Sequence, residues 1–182
     1  MGENTMAYIT PLRPGESNDV EVNKRLKEAS SNWWNDSSFF GLLGHNPALL
    51  ETTINLFQTA VSVEGIPLHI TELMRLKGSE INRCDYCLNM RFAAVKEKVS
   101  IKEGAVFGVI DPEKLDRQEF LAVSLAEQMA KDPNAIPQTF FDELKTEFSR
   151  KQILGLVFAA ATFSLGNKIN STLQLEGFEC SL

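Results

Sequence analysis

Residues 72–91, ELMRLKGSEINRCDYCLNMR, contain a Cys-x-x-Cys pair, Cys84 and Cys87, directly before an apolar pattern typical of a helix. The apolar positions recur at i, i+4 and i+7: Leu88, Phe92 and Val95. The pattern predicts a helix with one buried face that runs to about residue 98, with Asn82 as its N-cap. At a helix start, unpaired backbone N–H groups and the helix dipole favour a thiolate over a thiol. A reactive pair of cysteines is therefore expected here.

Outward from this stretch the sequence predicts helices and turns. The expected helices cover residues 17–34, 47–61, 67–82, 116–131, 137–148 and 151–169, and a turn region covers 104–112. Neither a βαβ alternation nor a period-2 strand pattern occurs in the sequence. The fold class predicted is therefore all-α, a multihelical bundle. The length of 182 residues suits a single domain, residues 1–182, with an extended N-terminal arm over residues 1–16.

Charge and composition exclude several classes of partner and location. A net charge of -6, a pI near 5.0 and scattered basic residues argue against a nucleic-acid partner and against an anionic membrane surface. The start of the chain lacks the layout of a signal peptide. The longest near-apolar run, residues 153–165, is too short to span a bilayer and is typical of a buried helix. A cytoplasmic protein is expected.

Four interpretations of Cys84 and Cys87 compete. A structural zinc site needs four ligands, and one Cys-x-x-Cys pair supplies two, so a zinc site within one chain is not expected. A thioredoxin-type site needs a βαβ setting, which the pattern lacks. The pair could also be two incidental buried cysteines. The favoured interpretation is a catalytic dithiol, because residues three apart at a helix start bring two sulfurs together.

Other residues have plainer interpretations. Cys180 is expected to be an exposed, unpaired thiol. His69 is expected at a helix surface or an interface, and His45 in the turn before the helix that begins at Pro47. An aromatic group is expected to pack in the core or in a subunit contact: Trp33, Trp34, Phe39 and Phe40.

Three segments resemble the carboxymuconolactone decarboxylase and alkylhydroperoxidase D-like family. They are FFGLLGHNPALL (39–50), ELMRLKGSEINRCDYC (72–87) and FSLGNKIN (163–170), and the resemblance covers about residues 36–175. Its most specific part is Glu-x11-Cys-x2-Cys, present as Glu72, Cys84 and Cys87. The resemblance implies an alkylhydroperoxidase D-like helical core over 36–175. It also implies a homo-oligomer, either a trimer or hexamer or else a dimer, and peroxide reduction without metal or flavin.

Carried over by position, Cys87 resembles the thiol that attacks peroxide and Cys84 the resolving thiol. Glu72 resembles the general base of a proton relay, and Tyr86 stands where the family accepts His or Tyr. Arg91 replaces the histidine that usually follows the second cysteine by four residues. On a continuous helix, Arg91 would share a face with Cys87 and could stabilise a thiolate, but it cannot shuttle a proton. The hypothesis is a low-pKa Cys87 with modest peroxidase turnover.

The function implied is that of a thiol-dependent peroxidase or disulfide oxidoreductase. Its partners would be a hydroperoxide substrate and a lipoyl- or thioredoxin-like dithiol reductant. Two alternatives stay open. One is a decarboxylase- or lyase-like enzyme on the same scaffold. The other is a non-catalytic helical oligomeric binding or stress protein with vestigial cysteines.

Overall fold

The structure, a computed structural model, describes residues 7–33 and 36–175. Every regular element in these ranges is a helix, which confirms the all-α prediction. The α-helices are α1 (Val20–Glu28), α2 (Ser38–Leu43), α3 (Pro47–Val61), α4 (Leu68–Ile81), α5 (Asp85–Asn89), α6 (Lys96–Ser100), α7 (Glu103–Val106), α8 (Arg117–Lys131), α9 (Gln138–Glu147) and α10 (Arg150–Thr172). A π-helical turn (Ala29–Trp33) follows α1, and a 3-10 turn (Ala93–Val95) precedes α6.

Local sequence signals explain where the long helices begin. Asn46 caps α3 by accepting the Leu49 N–H, and Pro47 occupies its first turn. Capping boxes begin α8 and α10: Asp116 with Glu119, and Ser149 with Gln152. The predicted helix over 17–34 begins later, at Val20, because Asp19 is its cap, and its last turn is π-helical. Of the predicted aromatic group, Phe39 and Phe40 are buried beside Phe57, whereas Trp34 and the Trp33 side chain lie outside the described residues.

Helix α4 lies at the centre of the packing. All its residues from 69 to 79 are buried, and it packs against α8 over most of its length and against α10 and α3. Ile70 and Met74 belong to the main hydrophobic core, whereas Leu73 and Leu76 belong to a second cluster that includes Val123 of α8. Because α4 is buried on all sides, its polar side chains also lie inside the protein, and one of these is the carboxylate of Glu72.

Helix α10 packs against α3, α4 and α8. At 23 residues it is longer than the run predicted, and by length and composition alone it could cross a membrane. In the structure it is a core helix, because Leu156, Ala159 and Phe163 are buried against the bundle. Its opposite face exposes three apolar side chains: Leu154, Phe158 and Leu165.

The described part of the N-terminal arm is tied to the bundle. Leu12 donates its backbone N–H to the Gly41 carbonyl at 3.1 Å. A Cβ on Gly41 would collide with the Leu12 carbonyl, so only glycine permits this approach. His45, predicted in the turn before α3, also reaches the arm, with Nε2 2.9 Å from the Thr10 carbonyl.

A buried charged cluster joins α4 to α8, and it corrects the prediction that His69 lies at a surface or an interface. His69 is only 6% exposed, and its Nε2 lies 2.9 Å from Glu119 Oε1. Lys102 also donates to the Glu119 carboxylate. Burial lowers the pKa of His69 and the Lys98 charge adds to this, against the opposing pull of Glu119. Burial alone would raise the pKa of Glu119, but Lys102, the Asp116 N–H and His69 together hold it below its usual value.

The predicted helix from the cysteines to residue 98 is wrong. Helix α5 ends at Asn89, because side chains bind the backbone groups that a longer helix would pair. The Cys87 carbonyl accepts from Arg75, the Leu88 carbonyl accepts from the Arg91 side chain, and the Phe92 N–H donates to Glu72. The chain is extended at Met90 and Phe92 before the 3-10 turn.

The predicted N-cap is also wrong. Asn82 ends α4 as its C-cap, and Arg83 takes a left-handed conformation with φ of 53°. The residue that caps α5 is Cys84 itself. This turn places the two cysteines under the C-terminal end of α4.

Candidate active site

Cys84 and Cys87 form a disulfide, with their Cα atoms 5.2 Å apart. The sequence expectation that the two sulfurs come together is thus met in the structure. Cys84 is 1% exposed and Cys87 5% exposed, so the pair lies beneath the protein surface.

The electrostatic setting differs from the one that the sequence predicts. The Cys87 N–H donates to Cys84 Sγ at 3.3 Å, so the first cysteine serves as the cap of α5. With only five residues, α5 has a small dipole. The dipole of α5 therefore contributes little to a thiolate on Cys87, and charged side chains near the sulfur matter more.

A small cavity lies against Cys87. The cavity is large enough for one water-sized molecule, whose centre has a volume of about 10 Å³ to occupy. Its lining combines an aromatic wall with a few polar groups: Phe39, Phe57, Phe163, Gly166, Arg75, Asn167, Asn170 and Cys87. Cys84 does not line this cavity. Of the two sulfurs, that of Cys87 is therefore the one placed to meet a small molecule.

Asn170 touches the Cys87 sulfur. Its Nδ2 donates to Cys87 Sγ at 3.4 Å, and the residue is 2% exposed. Among the buried side-chain nitrogen and oxygen atoms in the described part of the chain, Asn170 Oδ1 alone has no hydrogen-bond partner. A buried acceptor left unpaired costs about 1–3 kcal/mol. Sequence analysis missed Asn170, although it lies in the 163–170 segment that carries the family resemblance.

A polar network next to the cavity fixes the relation of α10 to α4. Asn167 donates to Ser79 Oγ at 3.1 Å and accepts from Asn82 at 2.9 Å. Ser79 in turn donates to the Arg75 carbonyl. These bonds hold α10, and with it Asn170, at a fixed distance from the cysteines.

Glu72 and Arg75 form a buried ion pair one turn apart on α4. Nε of Arg75 donates to Oε2 of Glu72 at 2.6 Å, and Nη2 donates to Oε1 at 2.9 Å. The same guanidinium donates to the carbonyls of Cys87 and Met90, both at 2.6 Å. Glu72 Oε1 also accepts the Phe92 N–H at 3.0 Å. Three N–H donors thus occupy the carboxylate predicted to be a general base, and Glu72 does not line the cavity.

The charged group next to Cys87 is Arg75, which sequence analysis missed. Arg75 lines the cavity, whereas the predicted guanidinium, Arg91, forms an ion pair with Glu103 at 2.7 Å. The expectation that Arg91 shares a helical face with Cys87 is wrong, since α5 ends before Arg91. A usable signal was present: Arg75 follows Glu72 by three residues on a predicted helix, the spacing of an intrahelical ion pair.

Tyr86 is buried, and its hydroxyl accepts the Phe39 N–H at 3.4 Å, at the start of α2. This contact ties the cysteine turn to α2. Within the described residues, no group of three or more His, Cys, Asp or Glu side chains is arranged to hold a metal ion. Cys180 lies outside the described residues.

Comparison with solved structures identifies the fold. The debrominase Bmp8, in its apo form, superposes with a TM-score of 0.77 at 18% identity, over 98% of this chain and 95% of that chain. An uncharacterized peroxidase-related protein from Silicibacter sp. TM1040 gives 0.74 at 16% identity, over 96% of this chain and 95% of that one. A protein from Ralstonia eutropha JMP134, described as an alkylhydroperoxidase AhpD core, gives 0.74 at 16% identity, over 97% and 94%.

These likenesses establish a shared architecture: the chain is an all-helical protein with the alkylhydroperoxidase D-like fold. The resemblance predicted from the sequence is thereby confirmed at the level of fold. No family model matches the sequence, and a search of curated proteins finds no match.

Proposed function

We propose that this protein is a thiol-dependent peroxidase that reduces small hydroperoxides with the Cys84–Cys87 pair. The observation that carries the proposal is the position of Cys87 at a small cavity, with Cys84 bonded to it and Arg75 beside it. A dithiol at such a place can be oxidised by a small molecule and can trap the product as a disulfide.

The reaction has two steps. The Cys87 thiolate attacks the hydroxyl oxygen of the peroxide, the O–O bond breaks, and the leaving alkoxide takes a proton, which gives a sulfenic acid and an alcohol. The Cys84 thiol then displaces water from the sulfenic acid and forms the disulfide. In sum, two thiols and one hydroperoxide give one disulfide, one alcohol and one water. An external dithiol, of lipoyl or thioredoxin type, would restore the thiols.

The ion pair supports this chemistry by position and charge. Arg75 fixes the carbonyl of Cys87 and brings a permanent positive charge to the cavity, which favours a thiolate over a thiol. Glu72 holds the guanidinium in place through two hydrogen bonds. Glu72 does not line the cavity, and three N–H donors already bind its carboxylate, so it is poorly placed to take a proton there. We therefore assign Glu72 a positioning role.

A second candidate is reductive dehalogenation of a small aromatic compound. The three phenylalanines on the cavity wall favour it, as does the likeness to Bmp8, which is also known as a cysteine-to-alanine variant in complex with 2,3,4-tribromopyrrole. A dithiol can replace bromine by hydrogen while it becomes a disulfide and releases hydrogen bromide. The cavity is small, which favours a small peroxide over a brominated ring, so peroxide is the first candidate.

The predicted homo-oligomer and the cytoplasmic location remain proposals. The exposed apolar side chains on α10 would serve a contact between copies: Leu154, Phe158 and Leu165. Light scattering on a size-exclusion column would give the subunit number.

The test of function is peroxide consumption with dithiothreitol as reductant, in a Cys180→Ser background. We expect Cys87→Ser to abolish turnover. Given one equivalent of peroxide and no dithiothreitol, Cys84→Ser should stop at a sulfenic acid on Cys87, because that acid then lacks its resolving thiol. Turnover that both substitutions leave unchanged would refute the proposal. Bromide release from a brominated pyrrole, dependent on both cysteines and without peroxide consumption, would favour the second candidate.

A further inference from the structure

Asn170 presents two different groups to two different partners. A disulfide sulfur can only accept a hydrogen bond, so the amide nitrogen faces Cys87 Sγ, at 3.4 Å. The oxygen of the same amide is buried, and Asn170 lines the small cavity beside that sulfur. Within the described residues no side-chain or backbone donor reaches this oxygen. In the disulfide form this oxygen is thus a buried acceptor without a donor, on a residue that lines the cavity.

We infer that Asn170 is a catalytic residue that holds the hydroperoxide by its O–H group. This inference rests on the proposed peroxidase function. Oδ1 accepts the O–H of the peroxide while Nδ2 donates to the Cys87 thiolate, so a single planar amide sets the attacking sulfur and the attacked oxygen side by side. When sulfur takes that oxygen, the O–H stays on it, and the resulting sulfenic acid keeps its hydrogen bond to Oδ1.

The geometry of the surroundings makes this placement rigid. Asn170 lies on α10, which Asn167 binds to Ser79 and Asn82 at the end of α4. The Asn170 carbonyl also accepts the Leu175 N–H at 2.9 Å. The backbone of Asn170 is therefore fixed by α10 and by the residue that follows the end of this helix. A fixed amide provides orientation without ordering cost at the moment of reaction.

The inference names a substrate class. The acceptor selects peroxides that carry a free O–H, namely hydrogen peroxide and small alkyl hydroperoxides. Dialkyl peroxides lack that group and would leave Oδ1 unpaired. The neighbouring Arg75 cannot replace Asn170 in this role, because a guanidinium is a donor only.

The test compares two reagents that attack the same thiol. The reduced full-length chain carries Cys84→Ser and Cys180→Ser, so that Cys87 is its only thiol. Rate constants are measured with hydrogen peroxide, which offers an O–H to Oδ1, and with iodoacetamide, whose reaction does not depend on such a bond. The ratio of the two rate constants cancels any change in the amount of thiolate. A merely structural role would leave this ratio unchanged.

We expect Asn170→Leu to lower the ratio by about tenfold to a hundredfold. Asn170→Asp keeps an acceptor oxygen at the same place, so its ratio should stay within about threefold of the parent although both reactions slow beside a negative charge. Asn55→Leu, on the exposed face of α3, is the matched control and should change neither rate. If circular dichroism shows that Asn170→Leu does not fold, Asn170→Ala takes its place in the same comparison.

An unchanged ratio in the folded Leu or Ala variant, with a parent that reacts with peroxide, would overturn the role of Asn170 and leave the peroxidase proposal standing. A ratio in Asn170→Asp as low as the one in Asn170→Leu would overturn this role as well. A parent that reacts with iodoacetamide but not with peroxide would overturn the proposed function, and this inference with it.

Discussion

Arg75 binds Glu72 through two parallel hydrogen bonds, of 2.6 Å and 2.9 Å, at a place where neither side chain is more than 2% exposed. From this pair the guanidinium reaches the carbonyls of Cys87 and Met90. The Glu72–Arg75 ion pair on α4 thus fixes where α5 ends. It also fixes the position of the turn that carries the two cysteines.

The first prediction concerns this pair. Glu72→Gln removes the negative charge and leaves the Arg75 charge buried, so we expect the free energy of unfolding to fall by about 3–5 kcal/mol. Urea unfolding followed by circular dichroism measures it. Asp142→Asn is the control, because it removes one partner of an exposed ion pair, Asp142 with Lys145, that water screens. Equal effects of the two substitutions would contradict the assigned role of Glu72.

The second prediction concerns the cavity. A Cβ on Gly166 would lie 2.9 Å from Cζ of Phe57, so Gly166→Ala should push the aromatic wall into the cavity. We expect the reaction of reduced protein with hydrogen peroxide to slow by about tenfold or more, since a small misplacement of reacting groups has large effects. Stopped-flow kinetics gives the rate.

Gly78→Ala is the matched control for the cavity prediction. Its Cβ would meet no atom within 4 Å, so the rate should not change, and stability should rise by about 0.5–1 kcal/mol. A Gly166→Ala protein as fast as Gly78→Ala would show that the cavity is not the route to Cys87.

The third prediction separates the two arginines. Arg75 lines the cavity, whereas Arg91 is engaged with Glu103. Arg75→Gln should therefore shift the pH midpoint of iodoacetamide labelling of Cys87 upward, and Arg91→Gln should shift it less. The parent midpoint should lie below the value of about 8.5 for a free cysteine. A larger shift for Arg91→Gln would restore the role first predicted for Arg91.

The fourth prediction concerns pH and stability. Because burial holds the pKa of His69 below 6.5 in the folded protein, the unfolded chain binds a proton before the folded one as the pH falls. Stability should therefore decrease on acidification through 6.5 toward the folded pKa. One such group contributes a slope of at most about 1.4 kcal/mol per pH unit. The pKa of Glu119 is also lowered in the folded protein. At lower pH the unfolded chain therefore binds this proton first, which decreases stability further on acidification.

His69→Gln tests this contribution, since glutamine keeps an N–H for Glu119 but does not titrate. Urea unfolding at several pH values should give a shallower slope for the variant between the folded pKa of His69 and 6.5. Parallel curves for variant and parent would show that His69 does not carry the dependence.

Sequence patterns were sufficient where a helix is set by its own residues. The predicted helices over 47–61 and 67–82 correspond to α3, which begins at Pro47, and to α4, which begins one residue after Pro67. The apolar periodicity of α10 predicted a buried helix, although not its full length. The family resemblance, of which the Glu-x11-Cys-x2-Cys spacing is the most specific part, implied the fold that the comparison with solved structures supports.

The same patterns failed where partners distant in sequence decide the structure. Leu88, Phe92 and Val95 have helical spacing, yet Glu72 and Arg75 take the backbone groups that a longer helix needs. His69 can be buried because its ring nitrogen has a buried hydrogen-bond partner, Glu119, which lies fifty residues later in the chain. The contact of Asn170 with Cys87 spans 83 residues, so helical periodicity could not predict it, although Asn170 lies in the 163–170 segment of the family resemblance.

The most direct test of the account is a single-turnover thiol count. Reduced Cys180→Ser protein receives one equivalent of hydrogen peroxide, and the remaining thiols and the intact mass are measured. We expect the loss of two thiols per chain and of two mass units, from a disulfide between Cys84 and Cys87. Two thiols still titratable after the peroxide has been given time to react would contradict it.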